Sequence, residues 1–168
     1  MMQDETTERR AQRLFADILD YPHAGLAGEV QECEALVAAM NPEAAALLRT
    51  FGAFVEETPQ GRIEEVYTGV FDLNPVCHPY VGYHIFGESY KRSAFLLRLK
   101  ERYRACGFVA SETELPDRLS IVLRFLSVSD DIELNQELIG EGVLLTLDRM
   151  THKAVEAPEP LAGGDIQL

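Results

Sequence analysis

The sequence predicts an all-α fold, a single-domain helical bundle of about seven helices over residues 1–155. Apolar residues recur at three- and four-residue spacing along most of the chain, alternation at period two is almost absent, and Asn, Pro and Gly stand between the periodic runs. With 168 residues, 46% of them hydrophobic, the chain is long enough to enclose a core without disulfides or metal.

Thr6 or Thr7 can cap a first helix lined by Leu14, Phe15, Ile18 and Leu19, which Asp20-Tyr21-Pro22 closes. A second runs from about Ala27 to Met40 with Val30, Cys33, Leu36, Val37 and Met40 on one side. Asn41-Pro42-Glu43 supplies a cap, a first-turn proline and a first-turn acid for a third helix that should bury Leu47, Leu48, Phe51, Phe54 and Val55. Thr58-Pro59 repeats that device for a fourth, with Ile63, Val66, Tyr67, Val70 and Phe71 inward. Leu73 to Gly87 breaks the pattern with two prolines, two glycines, aromatics and two histidines, and reads as a long loop. A fifth helix spans about Glu88 to Cys106 and stops at Gly107. In the sixth, Thr113 is the cap and Glu114, Pro116 and Asp117 form the first turn, with Leu119, Val122, Leu123, Phe125 and Leu126 buried. The last runs from Asp131 to Lys153, weakened by Gly140 and Gly142, and residues 156–168 read as a disordered tail.

A net charge of −13 opposes binding to nucleic acid or to an anionic membrane, because both depend on clustered Lys and Arg. The acidity serves solubility or attracts a basic partner segment, and charge alone does not choose. No run is apolar enough to cross a bilayer, and Met1-Met2-Gln3-Asp4-Glu5 is no secretion signal, so a cytoplasmic location is expected.

No catalytic set is legible. Cys33, Cys77 and Cys106 are far apart, which disfavours a disulfide framework or a zinc knuckle; Cys33 and Cys106 read as core residues and Cys77 as the loop thiol to test. His78 and His84 with Cys77 or Glu88 match no common metal site. Glu114 and Asp117 read as first-turn acids, and Glu88 with Arg92 as an exposed pair four residues apart. Tyr80, Tyr83 and Phe86 exceed any core stripe, so their loop either presents an apolar contact patch or folds back over the bundle.

Tyr67, Phe71-Asp72, Tyr83-His84, Gly87-Glu88-Ser89 with Arg92, Tyr103, Gly107 and Glu114-Leu115-Pro116-Asp117 followed by Leu119, Leu123 and Phe125 form an ordered set. In that order and spacing it resembles the assembly chaperones of molybdenum oxidoreductases, the nitrate reductase or NarJ type within the TorD/DmsD group. Ser93, Arg118, Ser120 and Arg124 depart from the group's pattern, which bears on the enzyme served. The resemblance implies a cytoplasmic, non-enzymatic chaperone that binds the N-terminal, leader-like segment of an apo molybdoenzyme catalytic subunit until the molybdenum cofactor is inserted. It implies no metal and no tightly bound cofactor, with transient contact to the molybdenum cofactor. Tyr83, His84, Gly87, Glu88, Arg92, Glu114, Pro116, Asp117, Leu119 and Leu123 are the expected partner-binding residues. A related client enzyme, a helical adaptor outside maturation and a small metal or thiol enzyme are the alternatives.

Overall fold

The computed structural model describes residues 2–74 and 77–156, with side chains over 6–74 and 77–152. The elements are α1 (Met2–Ile18), α2 (Leu26–Ala38), α3 (Pro42–Glu57), α4 (Gln60–Tyr67), α5 (Val81–Phe86), α6 (Tyr90–Ala105), α7 (Leu119–Leu126), α8 (Ile132–Glu137) and α9 (Leu144–Glu156). A π-helical turn, Thr68–Asp72, prolongs α4, and a second, Leu138–Val143, joins α8 to α9 into one rod. The fold is all-α, and no strand occurs among the described residues. The expected tail falls outside these residues, apart from Glu156 at the end of α9.

Local chemistry sets several helix ends. Asn41 Oδ1 accepts from the Ala44 amide at 3.0 Å ahead of Pro42, and Asp131 Oδ1 accepts from the Leu134 amide at 3.0 Å. Beyond α6 the amides of Gly107 and Phe108 donate to the carbonyls of Arg104 and Tyr103, with Gly107 at φ 69° and the Phe108 ring on Tyr103. This is a Schellman stop with its apolar contact.

The sequence expectations fail where contacts made at a distance overrule local signals. The first helix begins at Met2, ahead of Thr6 and Thr7. Thr58 is the extended C-cap of α3, and Pro59 precedes α4 without a side-chain cap. The supposed loop from Leu73 to Gly87 contains α5, which Gly87 ends at φ 62°. The turn at Glu114–Asp117 lies before α7, so neither acid is in a first helical turn. In the last rod a π turn takes up Gly140 and Gly142; a Cβ on Gly142 would come within 3.1 Å of Val81 Cγ1.

Two apolar clusters form the interior. Leu14, Leu26, Val30, Cys33, Val37, Leu48, Val55 and Ile63 unite α1 to α4. Val81, Leu99, Tyr103, Leu119, Val122, Phe125, Leu138, Val143 and Met150 unite α5 to α9. Helix α1 joins the halves by packing on both α2 and α7. Cys33 is buried as expected, but Cys77 and Cys106 exchange their expected places: Cys77 is buried, while Cys106 is exposed as the C-cap of α6. Burial raises the Cys77 thiol, which opposes a reactive role for it.

Gly82 lies where α5 meets α6 and the 114–118 turn, and an added Cβ would stand 2.8 Å from Asp117 Oδ2 and 2.9 Å from Phe95 Cδ1. Gly82→Ala should therefore destabilise the fold by about 1–3 kcal/mol in urea unfolding. Gly69→Ala, in open space within the first π turn, should be neutral or stabilising by up to about 1 kcal/mol.

Candidate functional site

The polar centre of the molecule is the meeting of two irregular segments. The Leu119 amide donates to the Pro79 carbonyl at 2.7 Å, the Val81 amide donates to the Asp117 carbonyl at 2.8 Å, and Tyr80 and Arg118 form an antiparallel bridge. Asp117, 0% exposed, then completes α5 from outside: its Oδ2 accepts from the Gly82 amide at 3.1 Å and from Arg92 Nε and Nη2 at 3.2 and 3.1 Å. Tyr80, the N-cap of α5, offers no capping side chain, so a carboxylate from a distant segment fills that place. Arg92 also lies 5.7 Å from the Tyr80 ring centroid and 5.9 Å from that of Tyr83.

Arg118 faces the other way. Its guanidinium meets the Glu114 carboxylate, donates to the Tyr67 hydroxyl at 2.7 Å and stands 3.6 Å from Asp20. Glu114 accepts from the Tyr80 hydroxyl at 2.9 Å, and the Tyr67 hydroxyl donates to the Leu19 carbonyl at 3.1 Å. Burial would raise the Glu114 carboxyl, but bonds from the Leu115 amide, Tyr80 and Arg118 hold it below its ordinary range. For Asp117, burial outweighs Arg92 and the Gly82 amide, and the carboxyl is raised. Its Oδ1 has no hydrogen-bond partner among the described residues, which leaves part of the desolvation uncompensated.

Among the described residues, three hollows border this centre. A charged cleft of about 620 Å³ lies between α1 and α7, where Arg124 meets Asp17 at 2.8 Å and Asp20 at 2.6 Å and Ser120 donates to Asp20 at 3.0 Å. Arg118, Ser120 and Arg124, three of the positions that depart from the expected pattern, thus gather on the acidic end of α1. An open cleft of about 640 Å³ is bordered by Tyr83, His84, Ile85, Gly87, Glu88 and Arg149. The third, about 350 Å³, is an apolar groove. Its lining comes from Ile18 at the end of α1, Leu19 and Pro22 after it, Leu26 on α2, Phe51 and Phe54 on α3, Ile63, Val66 and Tyr67 on α4, and Val70 and Phe71 on the π turn.

The ten expected partner-binding residues are divided by the fold. Tyr83, His84, Gly87 and Glu88 share the open cleft, with His84 itself buried and its Nε2 on the His78 carbonyl at 2.7 Å. Gly87 is there for its positive φ. Pro116, Asp117 and Leu119 are fully buried, so they reach a partner only by holding the turn. Leu123 packs on the C-terminal core. Arg92 pairs with Asp117 instead of Glu88. Glu114 lies on the border of the charged cleft.

The expectations overlooked the apolar groove, although α3 carries its signal. Phe51 and Phe54, which line it, stand beside the buried Leu48 and Val55 and make the apolar surface of α3 too wide for one buried face; Phe54 is 39% exposed, and Leu47, expected inside, is 73% exposed and outside the groove's lining.

The family described as Nitrate reductase delta subunit matches residues 37–152. The chain belongs to that family. A Bacillus subtilis member named as a nitrate reductase molybdenum cofactor assembly chaperone, NarJ, is 31% identical over 115 residues, which is 67% of this chain. The match spans 62% of that relative, less than two thirds of its length. A crystal structure described as a redox enzyme maturation protein from Archaeoglobus fulgidus shares the fold, with a TM-score of 0.53 and 22% identity over 89% of this chain and 94% of its own. Among the described residues no helix is long and apolar enough to cross a membrane, and no group of three or more His, Cys, Asp or Glu is placed to hold a metal ion.

The opposite shifts of the two carboxyls of this family member give opposite pH signatures. Asp117 holds its proton above the ordinary 3.8, so its effect on stability becomes less favourable as pH rises from that value through the raised one. Glu114 contributes stability that is present above 4.5 and lost as pH falls through its lowered value. Urea unfolding across acidic pH should show the second loss in the wild type but not in Glu114→Gln. At neutral pH, Asp117→Ala should cost about 3–5 kcal/mol, because it strands Arg92 and the α5 amide.

Proposed function

We propose that the chain is a cytoplasmic maturation chaperone that holds the N-terminal segment of the catalytic subunit of a nitrate-reductase-type molybdoenzyme while the molybdenum cofactor is loaded into that subunit. Membership of the family and the name of its Bacillus subtilis member support the role, and the apolar groove carries the mode of binding. A groove with exposed Phe54 on its lip and Leu26 and Ile63 beneath suits the apolar face of an amphipathic helix. Each fully buried Leu, Ile or Phe anchor contributes about 1.5–3 kcal/mol, against about 0–1 kcal/mol for a surface ion pair. Holding requires no bond to be made or broken at this groove. A related molybdoenzyme fits the same geometry as client.

A second seat is the open cleft at Tyr83, His84, Gly87 and Glu88, favoured by its greater size and by the half-exposed Tyr83 ring. Calorimetric titration with a synthetic N-terminal peptide of the nitrate reductase catalytic subunit separates the two. Phe54→Glu should weaken binding by about tenfold or more, because it places a charge on an apolar contact, and Tyr83→Ala should leave it within a factor of about two. The reverse pattern would move the seat to the open cleft, and a peptide that binds neither wild type nor variants would remove the function proposed here.

A further inference from the structure

We infer that Tyr67 limits the size of the anchor side chain that the apolar groove admits, because the turn at 114–118 holds its hydroxyl from behind. This rests on the groove being the seat of the client segment. The Tyr67 ring is part of the groove wall, edge-on to Tyr21 at a centroid distance of 5.4 Å and tilted against Phe71 at 4.8 Å. The hydroxyl reaches out of the apolar space and is bonded twice, to the Leu19 carbonyl at 3.1 Å and by Arg118 Nη2 at 2.7 Å. One partner follows the last turn of α1, and the other is the N-cap of α7.

Packing alone would let such a ring swing about its two side-chain torsions whenever a neighbour moved. The hydroxyl bonds remove that freedom at the far end of the ring. Arg118 cannot follow a displaced hydroxyl, because its guanidinium is engaged by the Glu114 carboxylate, which in turn takes the Tyr80 hydroxyl at 2.9 Å. An incoming side chain that fits in front of the ring leaves this chain intact. A larger one has to break a charge-assisted hydrogen bond, roughly twice as strong as a neutral one, and leave the Arg118 guanidinium, whose side chain is only 14% exposed, one partner short. The selectivity is therefore against bulk: aliphatic anchors enter and the largest aromatic does not.

Tyr67→Phe separates this role from general support, since the apolar wall stays and only the tether goes. Peptides of the nitrate reductase N-terminal segment, with Leu or Trp placed at each apolar anchor in turn, would be titrated against wild type and variant, with urea midpoints confirming that both are folded. At one anchor the wild type should prefer Leu by about tenfold or more, and Tyr67→Phe should narrow that ratio to about threefold or less. Arg118→Lys, which keeps the charge beside Glu114 but loses the planar fork, should narrow it in the same direction. A wild type without preference overturns the inference, as does a variant that loses affinity while keeping the ratio, because the hydroxyl would then serve only the fold. Failure of every peptide to bind the wild type brings down the groove itself, a result distinct from binding with an unchanged ratio.

Discussion

The carboxylate of Asp117 is the constraint around which the C-terminal half is arranged. A helix as short as α5, Val81–Phe86, does not hold its own shape in water, since its nucleation is unfavourable and few of its amides find partners within it. Here the Val81 amide goes to the Asp117 backbone and the Gly82 amide to the Asp117 side chain, so one residue settles two orphan donors. The same oxygen draws in Arg92 from α6. So close an approach leaves no room for a Cβ at position 82, and glycine there is a consequence of the carboxylate's position.

Arg118 extends the arrangement into the N-terminal half. Through Tyr67 it reaches α4, and with Arg124 and Ser120 it meets the acids at the end of α1. The polar joint thus lies where the two apolar clusters come together. Buried ion pairs are weak net stabilisers, because desolvation offsets most of their Coulombic gain. The free energy of folding therefore comes from the clusters, whereas the joint fixes how they face each other. The groove itself lies within the N-terminal half, with walls from α1, α2, α3, α4 and the π turn, and it meets the joint through Tyr67.

Residues that interact with near neighbours made most of the fold legible in the sequence. Asn41-Pro42-Glu43, Asp131 and Gly107 punctuate helices through bonds within a few residues, and the buried positions Leu14, Val30, Val37 and Leu48 follow the helical period. What escaped depends on partners far along the chain. Helix α5 needs a cap 35 residues away, so its own residues resemble a loop. Asp117 looks like a first-turn acid because Pro116 precedes it and an apolar run follows, and only the packed structure reveals that α7 begins later. Cys77 and Cys106 exchanged roles for the same reason: a thiol in an irregular segment can be covered, and one at a helix end can be bare. The groove was hidden by assuming a single buried face for α3, where Phe51 and Phe54 supply a second.

In the proposed function, an acidic surface and an apolar groove divide the rate of capture from the rate of release. Charges on the rim of an interface act mainly on association, while buried anchors act mainly on dissociation. With a net charge of −13 the chain attracts a basic segment at long range and in a salt-dependent way. In the proposed function, residence then depends on how many apolar side chains the small groove holds. Association costs about 4–15 kcal/mol in lost freedom, so a handful of anchors at about 1.5–3 kcal/mol each leaves a modest surplus. In the proposed function, withdrawing one or two anchors as the client folds would erase that surplus.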